Sequence, residues 1–331
     1  MVGESGGGRD SRGMTSIVGN LLLVATVVFL GAVLAIGSFA YLDGVGAPTA
    51  TADFTYERTP AGLEMTPKAL STAVDVQLNG KRVATFSEDA AGRTVLLPTA
   101  PGDRITAVSR DGEQTVLVDT TVDDRSEVGD FIAYYTFDST SGSELVDRSG
   151  NGNDGTLSGS PTWTGNSLQF GGNDHVDVRN LAVPGRTVSE FTVAVAYRQD
   201  GSSDRVNQLV EHYNGGNEWF LENPGASGNQ YRTEFAVNFP STSISSGSTY
   251  TTGQRHVAVG TFDGSTYELY VDGDRVGSDS YDSAVNMGDL VIGADAPNGN
   301  SQTLDGEIYE IRLYYTAFGE EEIRVISTAM G

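Results

Sequence analysis

An uncharged, strongly apolar stretch near the N-terminus constrains this chain more than any other feature. Residues 13–42 contain no Asp, Glu, Lys or Arg, and Arg12 and Asp43 lie close to its two ends. The hydrocarbon core of a bilayer is about 30 Å thick, and a helix of about 20 apolar residues crosses it. Because Arg9 and Arg12 precede the stretch, the N-terminus is expected in the cytoplasm and everything after Leu42 outside. The sequence therefore predicts a single-pass cell-membrane protein with an exported C-terminal part.

The charge balance narrows the setting of the exported part. The chain has 44 acidic and 20 basic residues, a formal net charge of −24 and a pI near 4.3. This charge argues against nucleic-acid binding, which depends on Lys and Arg to neutralise phosphate. Lys68 and Lys81 are the only lysines, and an acidic chain with so few lysines resembles the proteins of salt-loving archaea. The chain has no cysteine, so no disulfide holds the exported part together.

A basic leader and a small residue come before the apolar run, in the order Ser11-Arg12-Gly13-Met14-Thr15-Ser16. This order resembles the cleavage region of archaeal type IV prepilins. The resemblance implies that a membrane peptidase cuts between Gly13 and Met14, which removes the leader (1–13) and leaves a hydrophobic helix (14–46). It also implies that this helix packs with other pilin subunits, which the small residues along it favour. The alternative is a plain membrane anchor that is neither cleaved nor assembled.

Short apolar runs alternate with turn signals through residues 47–128, a pattern typical of β-strands. The candidate strands are 54–56, 73–78, 82–86, 94–97, 104–108 and 114–118. Asn79-Gly80 and Asp111-Gly112 each separate two candidate strands and favour tight hairpins, because both central positions of such a turn need positive φ. The pattern predicts a small β-sandwich with a structural role. The order of helix, small linker and β-rich head resembles haloarchaeal pilins.

Residues 129–331 carry five segments in an order that resembles LamG-like, concanavalin A-like domains. The segments are 132–138 with 145–157, 168–172 with 175–178, 191–197, 255–264 with 267–273, and 304–314 with 319–323. The resemblance implies a larger antiparallel jelly-roll β-sandwich. Alternation of Tyr267, Leu269 and Val271 with Glu268 and Tyr270 agrees with a strand that has one face on a core. The expected fold is therefore mainly β, with a transmembrane α-helix, a small sandwich head and a jelly roll.

The same resemblance implies a structural calcium, because LamG-like domains often hold one near an edge. Calcium takes six to eight oxygen ligands, and the glycine-rich loop 147–154 offers several on a backbone that can fold around an ion. The expected metal ligands are Asp138, Asp147, Asn151, Asn153, Asp305 and Glu310. In a chain with 44 acidic residues, most carboxylates are solvated surface charges, so that interpretation is favoured for any single candidate, while the cluster as a whole leaves calcium open.

Sugar binding would need an aromatic face beside polar groups, because a pyranose has an apolar face ringed by hydroxyls. Two loop-rich stretches, 212–219 and 229–232, contain that mixture. The expected ligand-binding residues are His212, Tyr213, Trp219, Tyr231 and Arg232. Trp219 also fits a core strand, because Phe220 and Leu221 follow it. His256 lies in an apolar run and is expected to be a packed structural residue.

The sequence does not predict a catalytic site. Glycoside hydrolases need two carboxylates across the scissile bond. The nearest candidates are Glu307 and Glu310, whose spacing of three puts them on opposite faces of a regular strand. The chain has no Gly-x-Ser-x-Gly elbow and no cysteine nucleophile.

Two hypotheses for function follow. In the first, the protein is a type IV pilin-like adhesin that presents a lectin-like LamG domain for attachment to carbohydrate, envelope glycan or another surface. A minor or tip subunit is expected, because so large an added domain is difficult to place at every position of a thin filament. In the second, the protein is a single-pass, membrane-anchored glycan-binding protein that forms no filaments. Fold alone does not decide between them.

Overall fold

The structure is a computed structural model that describes residues 50–110, 114–122, 127–201, 206–213, 218–239, 242–295 and 302–331, without the side chains of Tyr213 and Glu218. The predicted leader, the Gly13–Met14 cleavage position and the transmembrane helix 14–46 lie outside these ranges. Within them, no helix has both the length and the apolarity needed to cross a membrane.

The N-terminal head (residues 52–122) is built from short antiparallel strands. They are β1 (Ala52–Thr59), β2 (Gly62–Leu70), β3 (Val74–Leu78), β4 (Lys81–Phe86), β5 (Val95–Leu97), β6 (Arg104–Ser109) and β7 (Val116–Thr121). One sheet has the order β1-β2-β5 and the other β4-β3-β6-β7. Met65 from the first sheet and Val76 and Ile105 from the second are fully buried in one core. The two sheets form a small sandwich, as the strand pattern predicts.

Strand β2 was not among the predicted strands, because Pro67 lies inside it. A proline lacks the N–H that a central strand needs, and it is found at edges and bulges. Here Phe54 pairs with Pro67 and Asp53 with Ala69, so the register shifts at the proline. On its other side, β2 pairs with β5 only through residues 63–65. The proline is therefore tolerated where the ladder is already interrupted.

The tight turn predicted at Asn79-Gly80 is confirmed. Asn79 and Gly80 join β3 to β4 with φ of 54° and 77°, as the Asn-Gly signal predicts. The other predicted turn of the head, Asp111-Gly112, lies outside the described residues.

The C-terminal part contains two large antiparallel sheets and a terminal helix. Its elements are β8 (Phe131–Thr136), β9 (Glu144–Leu145), β10 (Gly155–Ser158), β11 (Thr162–Trp163), β12 (Leu168–Phe170), β13 (His175–Val178), a 3₁₀ turn (Pro184–Arg186), β14 (Thr187–Val188), β15 (Phe191–Gln199), β16 (Val206–Tyr213), β17 (Glu218–Pro224), β18 (Gln230–Tyr231), β19 (Glu234–Phe239), β20 (Ser243–Ser245), β21 (Tyr250–Thr251), β22 (Arg255–Phe262), β23 (Thr266–Val271), β24 (Asp274–Ser280), β25 (Val285–Asn286), β26 (Asp289–Ile292), β27 (Gly306–Tyr314) and α1 (Glu320–Met330). The expected mainly β sandwich is confirmed for this part.

We call the sheet whose other face packs against the head the covered sheet, and its partner in the sandwich the outer sheet. The covered sheet has the order β11-β12-β27-β15-β22-β23-β24, with β8 also paired to β27. The outer sheet has the order β20-β19-β17-β16-β26-β13-β10-β9. Phe191 and Ile308 from the covered sheet meet Trp219 and Phe235 from the outer sheet in one core, and all four are fully buried.

The head packs against the other face of the covered sheet, which the sequence did not reveal. Ala194 and Val257 on that face share a hydrophobic core with head residues and with Ile323 of α1. At its centre Arg312 of β27 is fully buried, and its guanidinium donates to both carboxylate oxygens of Asp103 in the head at 3.0 and 3.1 Å. The head and the C-terminal sandwich therefore share a core and a buried ion pair.

Candidate functional site

A hairpin between β17 and β19 forms one wall of an open pocket. Gly225 bridges to Tyr231, and the amide of Ala226 donates to the carbonyl of Gln230 at 2.9 Å. Gly228, near the tip, has φ of +73°, which glycine adopts without steric cost. The amide of Arg232 donates to the carbonyl of Pro224 at 2.9 Å and closes the base of the hairpin.

Aromatic packing below the hairpin fixes its position. Tyr231 is fully buried, and its ring centroid lies 6.2 Å from that of Tyr197, 5.9 Å from Tyr250 and 6.4 Å from His256. Strand β18 also pairs with β21, and the amide of Thr252 donates to the carbonyl of Asn229 at 3.1 Å. The residues that follow Tyr231 are therefore presented from a rigid base.

The pocket itself is polar and open to solvent, with a volume of about 450 Å³. It is lined by Gly225, Ala226, Ser227, Gln230, Arg232 and Thr249. The small residues leave room, while two hydroxyls, an amide and a guanidinium supply hydrogen-bond donors and acceptors. Such groups can orient a hydroxyl-rich ligand. Of these residues only Arg232 was predicted from the sequence; the loop Gly225-Ala-Ser-Gly-Asn229 was the available signal for Ser227, and Thr249 had none.

The aromatic platform expected from the sequence is not at this pocket. Trp219 is fully buried in the inner core with its ring centroid 5.2 Å from that of Phe191, so the core-strand alternative is the correct one. Tyr231 is also fully buried, so it anchors the hairpin and does not face a ligand. Of the expected ligand residues with described side chains, only Arg232 lines the pocket.

His212 is also corrected to a structural residue. It is 1% exposed, and its Nδ1 lies 3.1 Å from the amide nitrogen of Gly288 and 2.9 Å from the carbonyl oxygen of Asp289. Burial lowers the pKa of His212, so the ring is neutral at pH 7 and is not presented to solvent. Tyr213 follows it in β16, but its side chain is outside the described part.

The loop expected to hold calcium is held instead by its own hydrogen bonds. Asp147 is 6% exposed, and its oxygens accept from the amides of Tyr134 (3.1 Å), Ser149 (2.9 Å) and Asn153 (2.9 Å) and from the Ser149 hydroxyl (2.8 Å). The Asn151 and Asn153 side-chain amides donate to backbone carbonyls of β8 at 2.7 Å. Both oxygens of Asp147 are therefore already engaged by donors from the loop and from β8.

The other expected metal ligands lie apart from that loop's centre. Asp138 pairs with Arg148 at 2.8 Å on the surface. The backbone carbonyl of Asp305 accepts the amides of Asp200 and Gly201, at the far end of β15. Glu310 pairs with Arg312 at 2.6 Å, next to the head. These residues do not fit one calcium ion, and in the described ranges no group of three or more acidic, His or Cys side chains could hold a metal.

The prediction that Glu307 and Glu310 lie on opposite faces of their strand was wrong. Glu310 pairs with Ala196 but Ile308 pairs with Tyr197, so the register shifts and Tyr309 is an extra residue. A bulge of this kind restores the two carboxylates to the same face. Glu307 accepts from Arg198 at 3.0 Å and from the Tyr309 hydroxyl at 2.7 Å, while Glu310 is held by Arg312.

The outer sheet carries a pair of neighbouring glutamates that was not predicted from the sequence. Glu222 of β17 lies directly opposite Glu234 of β19, on the face away from the core, and is 9% exposed. Burial, followed by the charges of Glu234 and Asp295, raises the pKa of Glu222 to about 8. On its other side Glu222 pairs with Gln208, whose fully buried side-chain amide has no hydrogen-bond partner among the described residues. Twelve residues separate the two glutamates in sequence, so only strand pairing reveals the contact.

The prediction for His256 is confirmed. It is 9% exposed, and its Nδ1 donates to the Asp272 carboxylate at 2.7 Å. The other oxygen of Asp272 accepts the amide of Val257 at 2.9 Å. Asp272 and Gly273 form the turn between β23 and β24, with φ of 54° and 87°. The pair therefore fastens a hairpin turn to the neighbouring strand.

Comparison with protein families agrees with this fold. Residues 170–324 match the family model of the Concanavalin A-like lectin/glucanases superfamily (Laminin_G_3). The C-terminal β-sandwich is therefore similar to this family over those residues. The matched range includes every residue that lines the pocket. No curated protein sequence matches the chain.

Solved structures with a similar fold come from several organisms. Domain 4 of AbnA, a GH43 extracellular arabinanase from Geobacillus stearothermophilus in complex with arabinotriose, has a TM-score of 0.47 and 16% identity over 60% of this chain and 98% of that chain. A heptameric SAP-like pentraxin from Limulus polyphemus has a TM-score of 0.39 and 15% identity over 46% and 75%. Trypanosoma rangeli sialidase in complex with sialic acid has a TM-score of 0.49 and 13% identity over 84% and 53%.

Proposed function

We propose that this protein is a cell-surface, type IV pilin-like adhesin whose lectin-like domain binds carbohydrate in the pocket between the 225–231 hairpin and Thr249. The observation that carries the proposal is the open polar pocket of about 450 Å³ within the family-matched part of the chain. Hydroxyl, amide and guanidinium groups around an open concavity suit a ligand that presents many hydroxyls. The buried Arg312–Asp103 contact supports a presenting role, because it holds the lectin-like domain on the head.

Carbohydrate binding is tested on the full-length protein in detergent, with a glycan array followed by calorimetry of the best glycan. Thr249→Val removes a hydroxyl from the pocket and is expected to weaken binding several-fold, because a lost hydrogen bond costs about 1 kcal/mol. Thr55→Val, at an exposed position in the head, is the matched control and should bind normally. An array without any bound glycan would refute the binding role.

The pilin role is tested by intact mass of the protein from membranes and from sheared surface filaments. A mature mass that begins at Met14, recovered in the sheared fraction, is expected. A full-length mass found only in membranes would instead support the anchored glycan-binding protein. Electron microscopy with a label on the C-terminal domain then distinguishes a minor or tip subunit, labelled at few positions, from a major one, labelled at every repeat.

We further propose that the protein binds without catalysing hydrolysis. The carboxylates of β27 support this, because Glu307 is engaged by Arg198 and Tyr309, and Glu310 by Arg312. A hydrolase would need one carboxyl group to donate a proton and the other to attack or activate water. Overnight incubation with the bound glycan should leave its chain length unchanged, and shortened products would contradict the proposal.

A further inference from the structure

Ten of the fourteen arginines in the described ranges form an ion pair with a carboxylate. Among the described residues, those with an acidic partner within 4 Å are Arg58, Arg82, Arg104, Arg110, Arg148, Arg179, Arg198, Arg275, Arg312 and Arg324. Arg186 donates to the side chain of Asn180, and Arg255 donates to the carbonyl of Met330 and lies over the ring of Tyr309. With 44 acidic residues in the chain, pairing of this extent is expected.

Arg232 departs from this pattern at the pocket. Its side chain is exposed and has no hydrogen bond or ion pair in the described part of the chain, although its backbone amide is fixed by Pro224. It is also the only charged residue that lines the pocket, and the other lining residues are small or neutral polar. A fixed backbone, an unpaired guanidinium and a lining without carboxylates together form a cationic pocket on a strongly acidic protein.

This inference rests on the proposed carbohydrate-binding function. We propose that the pocket selects an acidic sugar, one that carries a carboxylate, and that the guanidinium of Arg232 pairs with that carboxylate. A planar guanidinium matches a carboxylate with two parallel hydrogen bonds, and such charge-assisted bonds are stronger than neutral ones. Ser227, Gln230 and Thr249 then contact the hydroxyls of the sugar ring.

A direct contact between the Arg232 guanidinium and a sugar carboxylate also suits binding at high salt concentration. At about 1 M salt the Debye length is about 3 Å, so attraction over longer distances is screened. A contact between guanidinium and carboxylate at hydrogen-bond distance keeps its geometric specificity under those conditions. The net charge of −24 would repel an acidic glycan at low salt, so we expect binding to strengthen as salt is raised from 0.1 M and the repulsion is screened.

The test uses an array of acidic glycans, each printed beside its carboxyl-reduced form, so that the members of a pair differ in one functional group. Wild-type full-length protein should bind the acidic member at least about tenfold more tightly. Arg232→Gln should remove that preference, and Arg232→Lys should restore it in part, because it keeps the charge but not the bidentate geometry. Arg93→Gln is the matched control, since Arg93 is an exposed arginine of the head and does not line the pocket.

The outcomes separate this inference from the function on which it rests. Binding of neutral glycans that Arg232→Gln leaves unchanged would overturn the acidic-sugar inference and leave the carbohydrate-binding function intact. Absence of any bound glycan would overturn both. Circular dichroism of each variant excludes misfolding, which is not expected because the Arg232 side chain is exposed and makes no hydrogen bond or ion pair with the described residues.

Discussion

The covered sheet and the outer sheet each hold a carboxylate away from water, but the neighbours of the two carboxylates differ. On the covered sheet, Arg312 donates to Glu310 at 2.6 Å and also contacts Asp103 of the head. On the outer sheet, Glu222 faces another carboxylate, Glu234. Burial raises the pKa of both glutamates; Arg312 counteracts the rise at Glu310, whereas Glu234 and Asp295 add to it at Glu222. One glutamate is thus paired, and the other retains its proton near neutral pH.

Asp147 shows a third arrangement, because its carboxylate is buried among neutral donors. Three backbone amides and one hydroxyl point at its two oxygens. The comparison teaches that burial alone does not set the behaviour of an acidic side chain. The neighbour of the carboxylate decides its effect on stability: a guanidinium at Glu310, a set of amides at Asp147 and a second carboxylate at Glu222. Each effect can be tested by substitution.

Arg312→Ala should have the largest effect. The substitution leaves Asp103 and Glu310 without their cation, and removal of one partner from a buried ion pair costs about 3–5 kcal/mol. We expect the free energy of unfolding, measured with denaturant at constant salt, to fall by this amount. Arg324→Ala breaks the exposed pair with Glu320 and should cost less than about 1 kcal/mol. Equal effects of the two substitutions would show that burial of the interface pair is unimportant.

Glu222→Gln should change the pH dependence of stability. Because the folded-state pKa of Glu222 is raised to about 8 from 4.5, its protonated form stabilises the fold fully below pH 4.5, and this contribution is lost as pH rises through 8. The variant should be more stable than wild type at pH 9 by up to about 5 kcal/mol and similar at pH 4. Thermal unfolding across that range, with exposed Glu88→Gln as control, measures the effect. A profile identical to wild type would contradict it.

Asp147→Ala should destabilise the protein by about 2 kcal/mol, because it leaves buried N–H groups of Tyr134 and Asn153 without acceptors. Denaturant unfolding measures this loss. Asp138→Ala, which removes exposed contacts with Arg148 and with the Thr136 hydroxyl, is the control and should be nearly neutral.

The smallest effect is expected from chelation. Since the oxygens of Asp147 already accept protein donors, EDTA should leave the melting temperature unchanged at fixed salt concentration. A clear drop on chelation that calcium reverses would mean that the loop binds the ion after rearranging its hydrogen bonds, and would restore the calcium prediction.

Much of the fold was predictable because its signals are local. The hairpin at Asn79-Gly80 depends on two adjacent residues that tolerate positive φ. The strand that contains Tyr267 and Leu269 follows from alternation over a few positions, and both residues are buried as that pattern requires. Strand β2 was not predicted. It contains Pro67, a residue that argues locally against a strand, and the bulge that accommodates this proline depends on pairing with β1.

The candidate site was less predictable because exposure is not a local property. Trp219 and Tyr231 have the residue types that a sugar platform needs, yet both are fully buried. Arg232, the neighbour of Tyr231 just after β18, is exposed and lines the pocket. Thr249 reaches the same pocket only because β21 pairs with β18.

The sequence by itself determined the β-rich character of the chain, its turn at Asn79-Gly80 and the similarity of its C-terminal part to lectin-like domains, because these are encoded by residue type and short-range spacing. Only the tertiary structure decided that the head shares a core with the covered sheet, that Arg312 meets Asp103 across 209 residues, and that Glu222 faces Glu234. Those contacts depend on which strands pair and which faces meet. A one-residue bulge in β27 was enough to place Glu307 and Glu310 on the same face, because every side chain beyond it changes sides.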